Sequence, residues 1–326
     1  MRRISLITSR RAALTGAIAM GLARPALAWP DRTITLIHGF GPGGAADTIC
    51  RLIAPPLAEV LGKPVVVEPR PGAGGNIGSL ALSRAQPDGH TIGLLTGSHG
   101  VAAAFGRANG FDPLDSFDWI TIFLRYGFVF ALRADNLIHD LPGLIAAARA
   151  MPDGFQYGSL GPGSSHHLTG ELFAATAGVR MAQVPYRSDV AGLTAVLSGE
   201  LPLMISTTAG AMGMLLQETR LRAIAVTAAR RTPQLPQVPT VAETLPGFES
   251  TTWAGLAAPR GTPAPVVAQL HGAMAEILAR PALRDRLAAL VEGEIGLTAQ
   301  AETRGVVAAE ITRWRALIQT RGLVAE

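Results

Sequence analysis

Short apolar runs alternate with amphipathic stretches along most of this chain, and glycine-rich turns join the two at three places. The turns cover residues 39–47, 70–78 and 158–166. Short apolar runs bounded by turns are typical of strands, and strands that alternate with helices usually pair in parallel sheets covered on both faces. The pattern therefore predicts an α/β fold built on parallel sheets.

The alternation starts twice, which predicts two lobes. The predicted strands cover residues 33–38, 65–68 and 91–95, and then 127–132, 155–159, 182–185, 203–206 and 221–226. The last part of the chain has one strand-like run and three helices, too little for a sheet of its own, so it is expected to pack on the first lobe. We predict a first lobe of residues 29–126 and 254–326, and a second lobe of residues 127–253. Two chain crossings connect them, and a cleft between α/β lobes is a usual place for a ligand.

The first 28 residues have the order of an export signal. Arg2 and Arg3 open a basic region, an apolar run extends to Ala23, and residues 26–28 form a small-x-small cleavage site. This order predicts a signal peptide cleaved after Ala28 and a periplasmic product. The Ser-Arg-Arg-x-x-Leu sequence at 9–14 favours the twin-arginine route. The apolar run is shorter than the roughly 20 residues that a membrane-spanning helix needs.

The positive formal charge of the whole chain, +4, comes from this leader, which has five arginines and no acidic residue. The remaining chain carries 23 basic against 24 acidic residues, and Lys63 is its one lysine. It has no basic stripe with interleaved aromatic residues. The composition therefore excludes nucleic acid as a partner.

Each glycine-rich turn leads directly into a helix, and this arrangement favours anions. Glycine lets the backbone turn so that N–H groups point into one concavity, and the helix N-terminus adds a partial positive charge. If the turns at 39–47 and 158–166 face each other across the cleft, they hold one carboxylate or phosphate between the lobes. For any single turn, a tight connection without a ligand is the alternative interpretation.

Other kinds of site match the sequence poorly. The chain has no Gly-x4-Gly-Lys-Ser/Thr loop, and Ile77 stands where the dinucleotide pattern needs its third glycine. No Gly-x-Ser-x-Gly sequence marks a nucleophilic serine. The adjacent His166 and His167 point about 100° apart on a helix, which makes a poor metal pair. We predict no catalytic residue, no cofactor and no metal.

Three polar residues beside the turns have roles that the pattern leaves open. Asp47 stands at the start of a helix, where capping is the plain role. Arg187 and Asp189 lie on a turn before a helix, where capping, a surface ion pair and ligand contact are equally open.

Several motifs occur together and in order, and they resemble those of the Bug family, the substrate-binding receptors of tripartite tricarboxylate transporters. The motifs are residues 41–47, 68–78, 87–89, 157–159, 161–168, 184–186 and 238–243. The resemblance covers essentially the whole chain after the leader. It implies a two-lobe Venus-flytrap fold like that of type II periplasmic binding proteins.

The resemblance also implies a ligand site. The loops that match 41–47 and 159–165 grip a ligand carboxylate in the family, largely through backbone amides and bridging water, while Ser98 and His99 are candidates for the distal end. Serine at position 206, where many relatives have an acid, is expected to remove a charge and to make an amino-acid ligand less favourable. His166 is a candidate for an added polar contact beside the grip. The expected ligand-binding residues are Phe40, Gly43, Gly44, Ala45, Asp47, Ser98, His99, Ser159, Gly163, Ser164, Ser165, His167 and Ser206.

The sequence thus predicts a monomeric receptor, not an enzyme, that closes its lobes on a small carboxylate-bearing solute. The resemblance implies that permease subunits of a tripartite tricarboxylate transporter then receive the solute. Two alternatives stay open. One is an exported α/β enzyme acting on a carboxylate or ester in the same cleft, and the other is an orphan receptor used in signalling.

Overall fold

The computed structural model describes residues 29–291 and 293–324, so the predicted signal peptide lies outside the described residues. In chain order the elements are β1 (Ile34–His38), α1 (Ala45–Leu61), β2 (Val65–Pro69), α2 (Asn76–Ser83), β3 (Thr91–Thr96), α3 (Gly97–Ala104), β4 (Phe117–Gly127), β5 (Val129–Arg133), α4 (Leu141–Arg149), β6 (Phe155–Ser159), α5 (Ser165–Ala177), β7 (Met181–Pro185), α6 (Asp189–Ser198), β8 (Met204–Ser206), α7 (Ala211–Gln217), β9 (Leu221–Val226), α8 (Val241–Thr244), β10 (Thr251–Pro259), α9 (Ala264–Leu278), α10 (Pro281–Val291), β11 (Glu294–Ile295) and α11 (Gln300–Arg321). None of these described helices is long and apolar enough to cross a membrane.

The strands form two sheets. The first has the order β11-β4-β10-β3-β1-β2, and the second has the order β7-β6-β8-β5-β9. The chain leaves the first sheet after β4 and returns to it with β10. We refer to the six-stranded sheet with its helices as the first lobe and to the five-stranded sheet with its helices as the second lobe. The residue boundaries given above for the two lobes stay a prediction.

Both sheets are mixed, so the expectation of parallel sheets was wrong in part. β1 pairs in parallel with β2 and β3, and β6 pairs in parallel with β7 and β8. In contrast, β10 runs antiparallel to β3 and β4, and β5 runs antiparallel to β8 and β9. A strand that enters a sheet from the other lobe has no crossover helix on that sheet to impose the parallel direction.

Two elements beside the cleft were not predicted from the sequence pattern. Residues 97–104 form helix α3 directly after β3, where no helix was predicted. β4 begins at Phe117, ten residues before the expected strand near 127, and most of it is buried. A continuous apolar run lacks the alternation that marks a strand, so periodicity alone does not identify it.

The C-terminal helices cover the first sheet. Helix α9 packs on α1 and β4, and α11 packs on α3 and β4. Trp314 of α11 is buried in a cluster with Val101 of α3 and Leu168 of α5. Because α5 belongs to the second lobe, this apolar cluster joins the two lobes beside the cleft.

Candidate functional site

A cavity lies where the two lobes meet. Its volume is about 20 Å³, space for about one water molecule, so a larger solute is accommodated only when the lobes lie further apart. Its lining combines apolar side chains with hydroxyls, one histidine and one carboxylate. The lining residues are Phe40, Ala45, Ala46, Thr96, Ser98, Tyr126, Leu160, His166, Asp189, Thr207 and Thr252. None of these described lining residues is a lysine or an arginine.

Two helices of the first lobe begin at this cavity without a side-chain cap. Helix α1 starts after Gly44, helix α3 starts after Thr96, and neither residue's side chain accepts a hydrogen bond from its helix. The first backbone N–H groups of a helix lack carbonyl partners within it, and they give its N-terminus a partial positive charge. Ala45, Ala46 and Ser98 lie in these first turns and line the cavity. The first lobe therefore presents the cavity with donors suited to a carboxylate.

The first glycine-rich loop is held by Asp47. Its carboxylate accepts hydrogen bonds from the Gly43 N–H (3.0 Å) and from Arg51 Nε (2.9 Å), and it lies 3.2 Å from His38 Nε2. Burial by itself would raise the pKa of Asp47, but the bonds from Arg51 and Gly43 hold that pKa below its ordinary value. Gly43 has a φ of +78°, which favours glycine. Asp47 and Gly43 thus shape the loop, and the Gly43 amide already has a partner.

Backbone N–H groups of the second glycine-rich loop also bond to side chains near them in the sequence. Gly161 N–H donates to Ser159 Oγ (3.1 Å), and Gly163 N–H donates to His167 Nδ1 (3.3 Å). Ser164 caps α5 by accepting from the His167 N–H. Gly163 is one of the expected ligand-binding residues, and in this arrangement its amide already has a partner within the loop. The amide has a local partner because His167 lies four residues along the chain, one helical turn away.

A hydrogen bond between α3 and α5 connects the lobes beside the cavity. The Ser165 N–H, at the start of α5, donates to Ser98 Oγ on α3 at 3.0 Å. The Ser98 hydroxyl lies 3.4 Å from Ser165 Oγ. Both serines are buried. The N-terminus of α5 is thus capped by a side chain of the opposite lobe.

His99 lies away from the cavity, contrary to the expectation that it contacts the distal end of a ligand. Its Nε2 donates to the Pro113 carbonyl (2.7 Å), and its Nδ1 pairs with Ser79 Oγ (3.0 Å). The ring stacks on Phe111 and meets Phe117 edge to face. Burial lowers the pKa of His99 to about 4. With both nitrogens bonded inside the first lobe, His99 has a structural role.

His167 is likewise occupied by the protein. Besides bonding to the Gly163 amide, its ring stacks on Phe105 of the first lobe. Burial, and then the charge of Arg107, lowers its pKa to about 4. His167 therefore fixes the second loop, and it is not one of the residues that line the cavity.

Asp189 is a lining residue whose role the sequence left open. It lies in the first turn of α6, which Ser188 caps, and 3% of its surface is exposed. The Ser206 hydroxyl donates to Asp189 Oδ1. A Cβ added to Gly44 would collide with Asp189 Oδ2, so this carboxylate of the second lobe lies against the start of α1.

The structure corrects the interpretation of Ser206. The serine was expected to remove a negative charge from the site, but its hydroxyl binds the carboxylate of Asp189, which lines the cavity. The charge is supplied by another element, α6 instead of β8. Asp189 follows the carboxyl end of β7 closely in the sequence, and that position at a sheet edge is the signal that could have favoured ligand contact.

His166 and Thr207 complete this side of the cavity. Both ring nitrogens of His166 and the hydroxyl of Thr207 are buried, with no hydrogen-bond partner among residues 29–291 and 293–324. His166 Nε2 lies 4.0 Å from Asp189 Oδ1, beyond hydrogen-bond distance. No group of three or more potential metal ligands occurs in the described part of the chain.

The structure thus divides the expected ligand-binding residues into three sets. Phe40, Ala45 and Ser98 line the cavity directly. His99 is outside it. The others belong to the loops, helix starts and strand end around it, and these are Gly43, Gly44, Asp47, Ser159, Gly163, Ser164, Ser165, His167 and Ser206.

Comparison with known proteins gives a consistent result. The model of the family described as the tripartite tricarboxylate transporter family receptor, TctC, matches residues 49–323. The solved structure of the periplasmic binding protein BugD is similar, with a TM-score of 0.86 and 28% identity over 91% of this chain and 100% of BugD.

Two solved structures from Rhodopseudomonas palustris contain ligands. MatC with bound malate has a TM-score of 0.82 and 30% identity, and the match covers 89% of this chain and all of MatC. Rpa4515 with adipate has a TM-score of 0.85 and 32% identity, and the match covers 90% of this chain and 98% of Rpa4515. These similarities extend over both lobes.

Proposed function

The chain belongs to the tripartite tricarboxylate transporter receptor family of periplasmic solute-binding proteins, and from this premise we propose that it captures a small carboxylate-bearing solute in the cavity between its lobes. Receptors of this kind bind solutes and do not transform them, so the chain is not an enzyme. Malate and adipate in the two similar structures are both dicarboxylates, which supports a carboxylate as the ligand here.

The uncapped N-terminus of α1 is the observation that carries the proposal. Its first-turn residues Ala45 and Ala46 line a cavity that has no lysine or arginine in its described lining. Such a helix end accepts a small anion without a cationic side chain, and the two similar structures with dicarboxylate ligands favour a carboxylate as that anion. We propose that Phe40, Ala45 and Ser98 contact the ligand, while Gly43, Gly44 and Asp47 set the shape of the first loop.

The second loop has an indirect role in this proposal. Ser159, Gly163, Ser164 and His167 hold its shape through the bonds described above, and Ser165 joins it to Ser98 of the first lobe. The Ser98–Ser165 bond exists only when the lobes meet, so it favours the closed state that surrounds a ligand. Ser206 has an indirect role, because its hydroxyl donates a hydrogen bond to the Asp189 carboxylate that lines the cavity.

Delivery and export complete the proposal. The closed receptor, a monomer, would present its ligand to permease subunits of a tripartite tricarboxylate transporter. Residues 1–28 would direct export by the twin-arginine route and be removed after Ala28. Family membership supports the periplasm as the location.

The decisive experiment measures binding of dicarboxylates to residues 29–326 by thermal shift and calorimetry. A ligand at 100 times its dissociation constant stabilises the folded state by about 2.7 kcal/mol. We expect a selective shift with at least one carboxylate, and no consumption of it. The proposal would be refuted if no mono-, di- or tricarboxylate and no amino acid raised Tm, or if the bound compound were consumed.

Ala45→Pro tests the place of binding. Proline is tolerated at the first position of a helix, and Gly44 has the extended backbone (φ −83°, ψ −178°) that suits the residue before proline. The change removes one N–H donor from the cavity. A hydrogen bond to a charged group contributes about 1.5–3 kcal/mol, so we expect affinity to fall roughly 10- to 150-fold.

Gln300→Pro is the matched control. Gln300 occupies the first position of α11, and Ala299 before it is also extended (φ −56°, ψ 139°). This variant should keep the wild-type affinity. If Ala45→Pro also keeps it, the carboxylate is not held by α1.

A further inference from the structure

The cavity holds one carboxylate of its own, and this feature restricts which ligands fit. Asp189 is the residue with a formal charge among the described lining residues, and it is almost fully buried. A buried charge is unfavourable unless other groups pair with it. The ligand must therefore be compatible with a negative charge that already lies inside the cavity.

The hydrogen bonding of Asp189 is incomplete. An ionised carboxylate offers about four acceptor positions on its two oxygens. The Ser206 hydroxyl serves Oδ1, and His166 is too far away, at 4.0 Å, to serve it as well. Oδ2 lies beside Gly44, at the start of α1. A hydrogen-bond donor on the ligand would fill an acceptor position of Asp189 that the described residues leave open.

Two further polar groups face the same cavity without partners. The His166 ring nitrogens and the Thr207 hydroxyl are buried and unpaired within the described part of the chain. Burial lowers the pKa of His166, although the charge of Asp189 opposes the shift, so the ring is neutral at neutral pH. A neutral imidazole and a hydroxyl can each accept a hydrogen bond. Together with Asp189 they form one acceptor surface.

We propose that Asp189, His166 and Thr207 form an acceptor subsite that binds a cationic amino group of the ligand. This inference rests on the proposed function and narrows the ligand to a carboxylate that carries an amino group. Because Asp189 lies against Gly44, the amino group must be close to the carboxylate held at α1, as it is in an α-amino acid. The inference reverses the expectation drawn from Ser206 alone.

The two ends of the ligand would then meet opposite charges. The partial positive charge of the α1 N-terminus faces the carboxylate, and Asp189 on the other lobe faces the ammonium. A ligand without the amino group would bring a second negative charge next to Asp189 in a site with no lysine or arginine in its described lining. Like charges at short range oppose each other strongly when they are shielded from water.

Matched pairs of ligands test the subsite. Calorimetry on residues 29–326 at pH 7.5 would compare aspartate with succinate, and 2-aminobutyrate with butyrate. In at least one pair we expect the amino compound to bind at least tenfold more tightly than its partner. Asp189→Asn keeps the shape and the bond from Ser206 but removes the charge, so it should abolish this preference.

Two further variants provide a control and an independent probe of the subsite. Asp285→Asn changes an exposed aspartate of α10 and should leave the preference unchanged. Thr207→Val removes the unpaired hydroxyl at nearly constant volume. We expect it to lower the affinity for the amino compound threefold or more and to leave the affinity for the analogue without the amino group unchanged. Thr207→Val decides the question if Asp189→Asn does not fold.

The outcomes separate the two proposals. A preference below tenfold in both pairs, or an unchanged preference in Asp189→Asn, would overturn the subsite and leave the carboxylate receptor intact. If no carboxylate of either kind binds, the proposed function itself fails and the subsite fails with it.

Discussion

Removing the Ser98 hydroxyl should weaken ligand binding by destabilising the closed state. Ser98 Oγ accepts the Ser165 N–H across the lobes at 3.0 Å, and both residues are buried. In Ser98→Ala this N–H remains unpaired when the lobes meet, whereas water can bond to it when they separate. An unsatisfied buried donor costs about 1–3 kcal/mol. The same free energy is lost from binding, which corresponds to a decrease in affinity of roughly 5- to 150-fold.

Ser165→Ala is the matched control for this prediction. It removes a hydroxyl that lies 3.4 Å from Ser98 Oγ but keeps the N–H that donates to Ser98. Its effect on affinity should be about threefold or less, because a hydrogen bond weakens beyond its normal distance.

Calorimetry and small-angle X-ray scattering together provide the assay. Calorimetry with the tightest-binding carboxylate gives the loss of affinity, and scattering without ligand reports whether the lobes separate more in Ser98→Ala than in Ser165→Ala. A larger radius of gyration in Ser98→Ala would attribute the loss to closure. If Ser98→Ala binds within twofold of the wild type and its scattering is unchanged, the reasoning about this interlobe bond is wrong.

Two remaining predictions concern stability. Gly305 lies exposed within α11 with open space around it, so Gly305→Ala should stabilise the protein by about 0.5–1 kcal/mol and raise Tm by roughly 1–4 °C. Gly322→Ala is its control, because Gly322 has equally open space but a φ of +62°, and it should lower Tm; an increase in both variants would contradict the conformational reasoning. His99 and His167 have pKa values near 4 in the folded state, below the ordinary 6.5. The unfolded chain therefore binds more protons between pH 6.5 and 4, so the free energy of unfolding should be fully retained above about pH 6.5 and fall as pH decreases to about 4. Denaturant titrations across this range, with His99→Gln expected to show a flatter slope, check the prediction.

The local pattern of the sequence was sufficient for most of the fold. Strand β6 begins and ends where it was predicted to, at Phe155 and Ser159, and helices α1 and α5 follow glycine-rich turns as expected. These features depend on the spacing of apolar residues and on the conformational freedom of glycine, which are properties of a short segment. The family resemblance extended that pattern to a two-lobe architecture, and the comparisons confirm it.

The contacts at the site required the tertiary structure. A sequence pattern marks which residues can bind but not which partners they find first. The Gly43 amide is taken by Asp47, the Gly163 amide by His167, and His99 by two bonds inside the first lobe. Asp47 and His167 lie only four residues from these glycines, whereas the partners of His99, Ser79 and the Pro113 carbonyl, come from separate parts of the first lobe.

The sequence alone determined the glycine-rich loops and the helix starts, because these depend on neighbours along the chain. Only the tertiary structure decided that Asp189 replaces the charge missing at Ser206, since the two residues are 17 positions apart and meet through the packing of α6 against β8. It also decided that Ser98 caps a helix of the other lobe. The first contact depends on packing within the second lobe, and the second depends on how the two lobes come together.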